Sequence, residues 1–169
     1  MDVIEAIRTR RSIRRFKRDP VPPEAVRQLL EAMFVAPSAG DQRPWHFVVL
    51  DDRATLDAVP AFHPHARMLL GAPLAILVCG DPSLETHKGY WVQDCGAATE
   101  NLLLAAHGLG LGACWLGVHT RPAREQGLRD LLGIPEHVVP YALVAIGVPD
   151  EPAGFEDRWD DARIHRNRW

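Results

Sequence analysis

Gly108-Leu109-Gly110-Leu111-Gly112-Ala113-Cys114-Trp115-Leu116-Gly117 decides which kind of mixed helix-and-strand protein this chain can be. Glycine-rich runs open the phosphate loop of doubly wound dinucleotide-binding folds, where they follow a strand and lead into a helix. Here the order is reversed. The segment before the glycines, Gln93 to His107, places Cys95, Ala98, Leu102, Ala105 and Ala106 on one helical side. The segment after them, Ala113 to Val118, is a short apolar run of strand length. The glycines therefore make a tight helix exit, with Trp115 and Leu116 packed near whatever the strand supports, and the dinucleotide fingerprint is excluded.

Outward from this point the chain continues the same mixture. On the C-terminal side come a helix, Arg121 to Leu132, a strand, Tyr141 to Val148, and a charged tail closing in Arg163-Ile164-His165-Arg166-Asn167-Arg168-Trp169. On the N-terminal side, Leu74 to Cys79 and Trp45 to Leu50 read as buried strands around a short helical region holding Leu56 and Val59. Before them, Val26, Leu29, Leu30, Met33 and Phe34 stripe a helix from about Glu24 to Val35, and Asp2 caps a short helix over Val3 to Thr9. Helices come in pairs and not as strict strand–helix repeats, so the spacing predicts an α+β sheet flanked by helices. At 169 residues the chain is expected to form one domain, 1–169, burying roughly 70% of its unfolded surface.

The composition, 47% hydrophobic and 24% charged, is that of a globular protein. No apolar run approaches the roughly 20 residues of a membrane helix, and the first twenty residues lack the apolar core of a signal peptide. A cytoplasmic protein is expected. Cys79, Cys95 and Cys114 stand apart in apolar stretches and read as reduced, buried thiols, with no ligand spacing for a metal.

The net charge of −3 hides a cluster: Arg8, Arg10, Arg11, Arg14, Arg15, Lys17 and Arg18 follow one another with no acid between. A nucleic-acid arm, an anionic membrane surface and one small phosphate ligand would each account for it. Only Phe16 interleaves the cations and the chain is acidic overall, which counts against nucleic acid, where aromatic stacking platforms accompany basic grooves. If the segment is extended, one face presents Arg10, Ser12 and Arg14 and the other Arg11, Ile13 and Arg15. Two guanidinium forks flanking a hydroxyl suit a phosphate dianion; a solvated basic turn is the alternative on this segment alone. A second segment, Pro37-Ser38-Ala39-Gly40-Asp41-Gln42-Arg43-Pro44-Trp45-His46-Phe47, combines small residues that let a planar ligand approach the backbone with polar groups for a heteroaromatic edge. Alone, it equally describes an ordinary helix-to-strand loop anchored by Trp45.

Together, Arg-Arg-Ser-x-Arg-x-Phe at 10–16, Ala-Pro-Ser-x-Gly-x-Gln-x-Pro-Trp-His-Phe at 36–47, Gly-Leu-Gly-x-Cys-Trp-Leu-Gly at 110–117 and the tail Arg163 to Trp169 resemble the FMN-dependent nitroreductase-like family, in its short form. The resemblance implies a central, mainly antiparallel sheet and an intertwined homodimer whose C-terminal tail extends onto the partner. It implies FMN at the dimer interface, with NADH or NADPH as electron donor. Arg10, Ser12 and Arg14 would hold the ribityl phosphate and nearby flavin groups, Arg11 would assist, and Arg163 would complete the phosphate site. Pro37, Ser38, Ala39 and Asp41 of the other subunit would line the isoalloxazine. Trp115, Leu116 and Gly117 would pack near its redox-active edge, where a backbone N–H supports N5. Two positions depart from the family pattern: Asp41 stands where Asn is usual and Arg43 where Gln is common.

The implied activity is FMN-dependent NAD(P)H oxidoreduction of nitroaromatics, quinones or related small acceptors, by ping-pong hydride transfer through flavin N5. A specialised enzyme of the family (dehalogenase, small-metabolite dehydrogenase or flavin-fragmenting) and a flavin-binding module without turnover are the alternatives. No protein acid, base or nucleophile is expected to be obligatory; His46, His107 and His165 read as structural or surface residues.

Overall fold

In the computed structural model, described for residues 1–154 and 156–169, the chain builds a four-stranded sheet between two layers of helix. Its elements are α1 (Val3–Thr9), α2 (Pro23–Phe34), β1 (Trp45–Leu50), α3 (Arg53–Ala58), β2 (Leu74–Gly80), α4 (Trp91–Gly108), β3 (Gly112–Gly117), α5 (Pro122–Leu132) and β4 (Val139–Gly147). The strand order is β1-β2-β4-β3, and every neighbouring pair is antiparallel. The expected α+β class and antiparallel sheet are thus observed, with helix ends shifted by a residue or two.

Strand β2 explains why the sheet has two covered faces. All seven of its residues are buried, which a continuous Leu-Ala-Ile-Leu-Val-Cys run requires. Leu74, Ile76 and Val78 pack with Leu29 and Met33 of α2 and Cys95, Ala98 and Leu102 of α4. Ala75, Leu77 and Cys79 pack on the opposite side with Leu56, Val59, Leu69 and Leu128. Fully burying a side chain such as Leu29 or Met33, both at 0% exposure, is worth about 1.5–3 kcal/mol each. The three cysteines are buried and unpaired, and burial pushes the Cys79 thiol up to about 12, so it stays protonated at neutral pH.

Two segments without strands of their own differ in how they meet the core. Ile13 and Phe16 of the basic segment join the core on the Leu77 side. The tail beyond Asp150 lies outside both cores, with Trp159 and Trp169 exposed. Among the described residues no helix is long and apolar enough to cross a membrane.

Candidate functional site

The basic segment is anchored by its apolar residues, which leaves its cations outward. The chain leaves α1 at Arg10 in an extended conformation, Ser12 bridges Ala113 in parallel, and Phe16 bridges Pro149. Ile13 N donates to Ala113 O at 3.0 Å and Lys17 N to Val148 O at 2.9 Å. Gly112 makes this seat possible: a Cβ there would lie 2.7 Å from Ile13 Cγ2. Glu151 locks the segment from outside, its Oε1 accepting from Arg14 N at 2.5 Å and Arg15 N at 3.2 Å. Those bonds, the Arg14 amide foremost, hold its carboxyl below the usual range.

The predicted face of Arg10, Ser12 and Arg14 is divided by this anchoring. Arg10 turns to Glu100 of α4, 3.7 Å away. Arg11 instead lies beside Ser12, its Nη1 donating to the carbonyls of Arg8 and Arg10 at 3.0 and 2.6 Å. Arg11, Ser12 and Arg14 line a cleft of about 450 Å³ with Glu151, Glu156 and Arg158. Arg14 also lines a second cleft, of about 440 Å³, with His63, His65, Met68, Trp115, Leu116, Gly117 and Arg124. One arginine therefore joins a recess of three arginines and two glutamates, in which Arg158 is paired with Glu156 at 2.7 Å, to the floor formed by the end of β3.

That floor is built for contact. Leu116 is buried, whereas Trp115 and Gly117 are open to solvent, and among the described residues nothing beyond its chain neighbours lies within 4 Å of where a Gly117 Cβ would sit. The Gly117 carbonyl accepts from His63 at 3.1 Å and from Arg124 Nη1 at 2.6 Å. Because a carbonyl only accepts, His63 Nε2 must carry its proton. Burial, then the nearby Arg124 charge, pushes the His63 pKa below its ordinary 6.5. As pH falls below 6.5 the unfolded chain therefore takes up this proton before the folded one. Thermal stability is expected to be level above that point and to fall on acidification through the lowered native value, with a shallower slope in His63→Gln. Melting temperatures measured between about pH 8 and pH 5 check this.

The loop 37–44 is held by α4. Asp94, 4% exposed, accepts from Ala39 N at 2.9 Å and from Gln42 Nε2 at 2.7 Å. Gln42 Oε1 in turn accepts from Thr86 N and His87 N at 3.1 and 3.0 Å, and Ser38 Oγ accepts from Arg43 N at 3.0 Å. Asp94→Ala would strand two donors, at a cost of about 1–3 kcal/mol; faster hydrogen exchange at the Ala39 amide is the expected local sign. The two departures from the family pattern turn out to be one feature. Arg43 Nε and Nη2 each donate to the Asp41 carboxylate at 2.7 Å, across Gln42, with Asp41 and Arg43 both at positive φ. This pairing lowers the Asp41 pKa, so Asp41 is a carboxylate already engaged by Arg43. Pro37 is exposed, and Ser38 and Ala39 are half-buried.

In a single chain these parts do not meet. The loop enters β1 at one edge of the sheet, and the basic segment rides β3 at the other; with strands about 4.8 Å apart, the edges are about 14 Å from each other. Neither cleft includes a residue of 37–44. Arg163 is exposed and paired with Asp160 at 2.9 Å and lines neither cleft, whereas Arg158 of the same tail lines the one with Arg11, Ser12 and Arg14. His63, Arg124, Arg158 and Asp94 are the residues that the sequence did not single out. Of the histidines it did consider, His107 lies 2.8 Å from Thr9 Oγ1 and His46 3.4 Å from Asp81 Oδ2, and His165 stacks on Trp169.

Comparison with known proteins adds an independent line. The model of the nitroreductase family matches residues 7–70 and 63–148. A protein of Methanothermobacter thermautotrophicus, provisionally named NADH dehydrogenase/NAD(P)H nitroreductase, is 50% identical over 100% of this chain and 88% of its own. An FMN-dependent nitroreductase from Clostridium difficile superposes with a TM-score of 0.92 at 30% identity, covering 98% of this chain and 99% of that one. A protein of Desulfovibrio desulfuricans, provisionally named a nitroreductase and solved in complex with FMN, gives 0.83 at 36% identity over 96% of this chain and 94% of that one.

Proposed function

The chain belongs to the nitroreductase family, and from that premise we propose that it is an FMN-dependent NAD(P)H oxidoreductase, acting as one domain in a homodimer that shares its flavin sites. The observation that carries the proposal is the double role of Arg14, which lines both the recess with Arg11, Ser12 and Arg158 and the cleft against Trp115, Leu116 and Gly117. FMN has the matching form, a phosphate dianion on a flexible arm and a flat ring. Arginine forks and a hydroxyl suit the first, and an open glycine face suits the second.

Bound FMN would supply the redox chemistry, taking a hydride from NADH or NADPH and passing electrons to a small acceptor such as a quinone or nitroaromatic. The chain's own part is to bind and orient. Arg11, Ser12 and Arg14 hold the phosphate, with Arg158 closing the recess and Arg10 adding charge from its seat on Glu100. The Gly117 backbone faces the reactive edge of the ring, flanked by Trp115 and Leu116. Pro37, Ser38, Ala39 and Asp41 come from the second copy, since their own chain holds them at the far edge of the sheet. The exposed tail, with Arg163, Trp159 and Trp169, is the segment that reaches across to the partner.

The visible absorption spectrum tests the activity. The protein, loaded with FMN under anaerobic conditions, is expected to show oxidised-flavin bands that bleach on adding NADH or NADPH and return with a quinone. Bands that persist with both nucleotides would contradict the oxidoreductase assignment and leave a flavin-binding module.

A further inference from the structure

We infer that His63 and Arg124 are positioning residues for the flavin platform, acting together on the carbonyl of Gly117. The inference rests on the assignment of Gly117 to the flavin face. β3 is an edge strand whose one strand partner among the described residues is β4, with Ser12 bridging Ala113 on its other side, so its alternate backbone groups point away from the sheet and need other partners. Ala113 and Gly117, four residues apart, direct their carbonyls the same way. Ala113 O is taken by Ile13 N, and Gly117 O by His63 and Arg124.

One donor would satisfy that oxygen. Two arrive, from separate elements. His63 follows the turn Val59–Ala61, is fully buried, and is itself fixed by its backbone N–H to Val59 O at 3.0 Å. Arg124 comes from the first turn of α5, with its amide bonded to Arg121 O at 2.9 Å. Gly117 ends β3 opposite Ala142, and this is the residue expected to bear the ring. On one side of its peptide the Val118 amide donates to Tyr141 O at 3.3 Å; the two converging donors hold the carbonyl on the other side and so fix the plane of the Gly117–Val118 peptide at the strand end. The Arg124 charge also offsets the negative end of the carbonyl dipole beside the ring, which favours the anionic reduced flavin.

Three variants test the clamp: His63→Leu removes one donor, His63→Gln keeps an N–H near the same place, and Arg124→Met removes the other donor and its charge. FMN titration of the apoprotein is expected to give about tenfold weaker binding for His63→Leu and Arg124→Met, and affinity near that of the unaltered protein for His63→Gln. The midpoint potential of bound flavin is expected to move negative in Arg124→Met. Unchanged affinity and potential in Arg124→Met would overturn the inference even if His63→Leu fails to fold, because Arg124 lies at the surface. An unaltered protein that binds no FMN would overturn the flavin assignment and this inference with it, an outcome separate from normal binding in all three variants.

Discussion

Gly112→Val is expected to cost about 1–3 kcal/mol of stability, the scale of overpacking in a filled site, and to abolish flavin retention. The new Cβ would lie 2.7 Å from Ile13 Cγ2 and 2.8 Å from Ile13 Cβ, with Ile13 only 5% exposed. Either β3 shifts away from β4 or Ile13 leaves its seat. The second is cheaper, since the bridge and hydrogen bond to Ala113 and the two Glu151 bonds are fewer than the ladder to β4 that a shift of β3 would break. Ser12 and Arg14 then move with it, and the recess that they line with Arg11 opens. Urea denaturation and FMN titration read the two effects separately. Adding Ile13→Ala to Gly112→Val is expected to recover part of the flavin binding, because the smaller side chain fits beside valine. A Gly112→Val protein with full FMN affinity would mean that Ile13 does not position the arginines.

Arg14→Ala is expected to weaken FMN binding by about 1.5–3 kcal/mol, the scale of hydrogen bonds to a charged group, with little change in melting temperature. The side chain is exposed and makes no contact on which the core depends, so the loss falls on the ligand. Arg10→Ala is expected to cost less, since Arg10 already answers Glu100 and stands outside both of the clefts that Arg14 joins. Equal losses for Arg10 and Arg14 would show that the phosphate lies nearer α1 than the recess of Arg11 and Ser12.

The local signals in the sequence carried the fold a long way. The order helix, glycines, strand at 93–118 ruled out a dinucleotide-binding architecture, and the apolar run of β2 was rightly read as a buried strand; the same reading of Trp45 to Leu50 went too far, since β1 is an edge strand with His46 and Val49 exposed. The alternation assigned to 10–15 was right for buried Ile13 but grouped Arg10 with Arg14. Arg10 is the C-cap of α1, where helix geometry still governs its direction and turns it toward α4. His63 and Arg124 were beyond reach for a different reason. Each lies in a segment that reads as ordinary loop or helix surface, and they meet only at Gly117 O, 54 residues from the histidine. Asp94 likewise has the pattern of a first-turn acid on a helix; its burial under loop 37–44 is a tertiary fact. Asp41 and Arg43 were visible as departures, but their pairing depends on both residues turning into positive φ on either side of Gln42, which residue types other than glycine rarely adopt.

Complementation between two defective chains tests the shared site most directly. One chain carries Arg14→Ala. The other carries Gly40→Val, which puts a branched side chain at φ 55° and 2.4 Å from His87 Nε2, distorting loop 37–44. Each alone is assayed at an FMN concentration too low for it to load. Co-expressed with different tags and purified as the mixed dimer, the pair has one site with both defects and one with neither. If each flavin site takes its arginines from one copy and its loop from the other, the mixed dimer is expected to hold FMN at half the occupancy of the unaltered protein and to bleach with NADH or NADPH. A mixed dimer as empty as its parents would contradict the shared site.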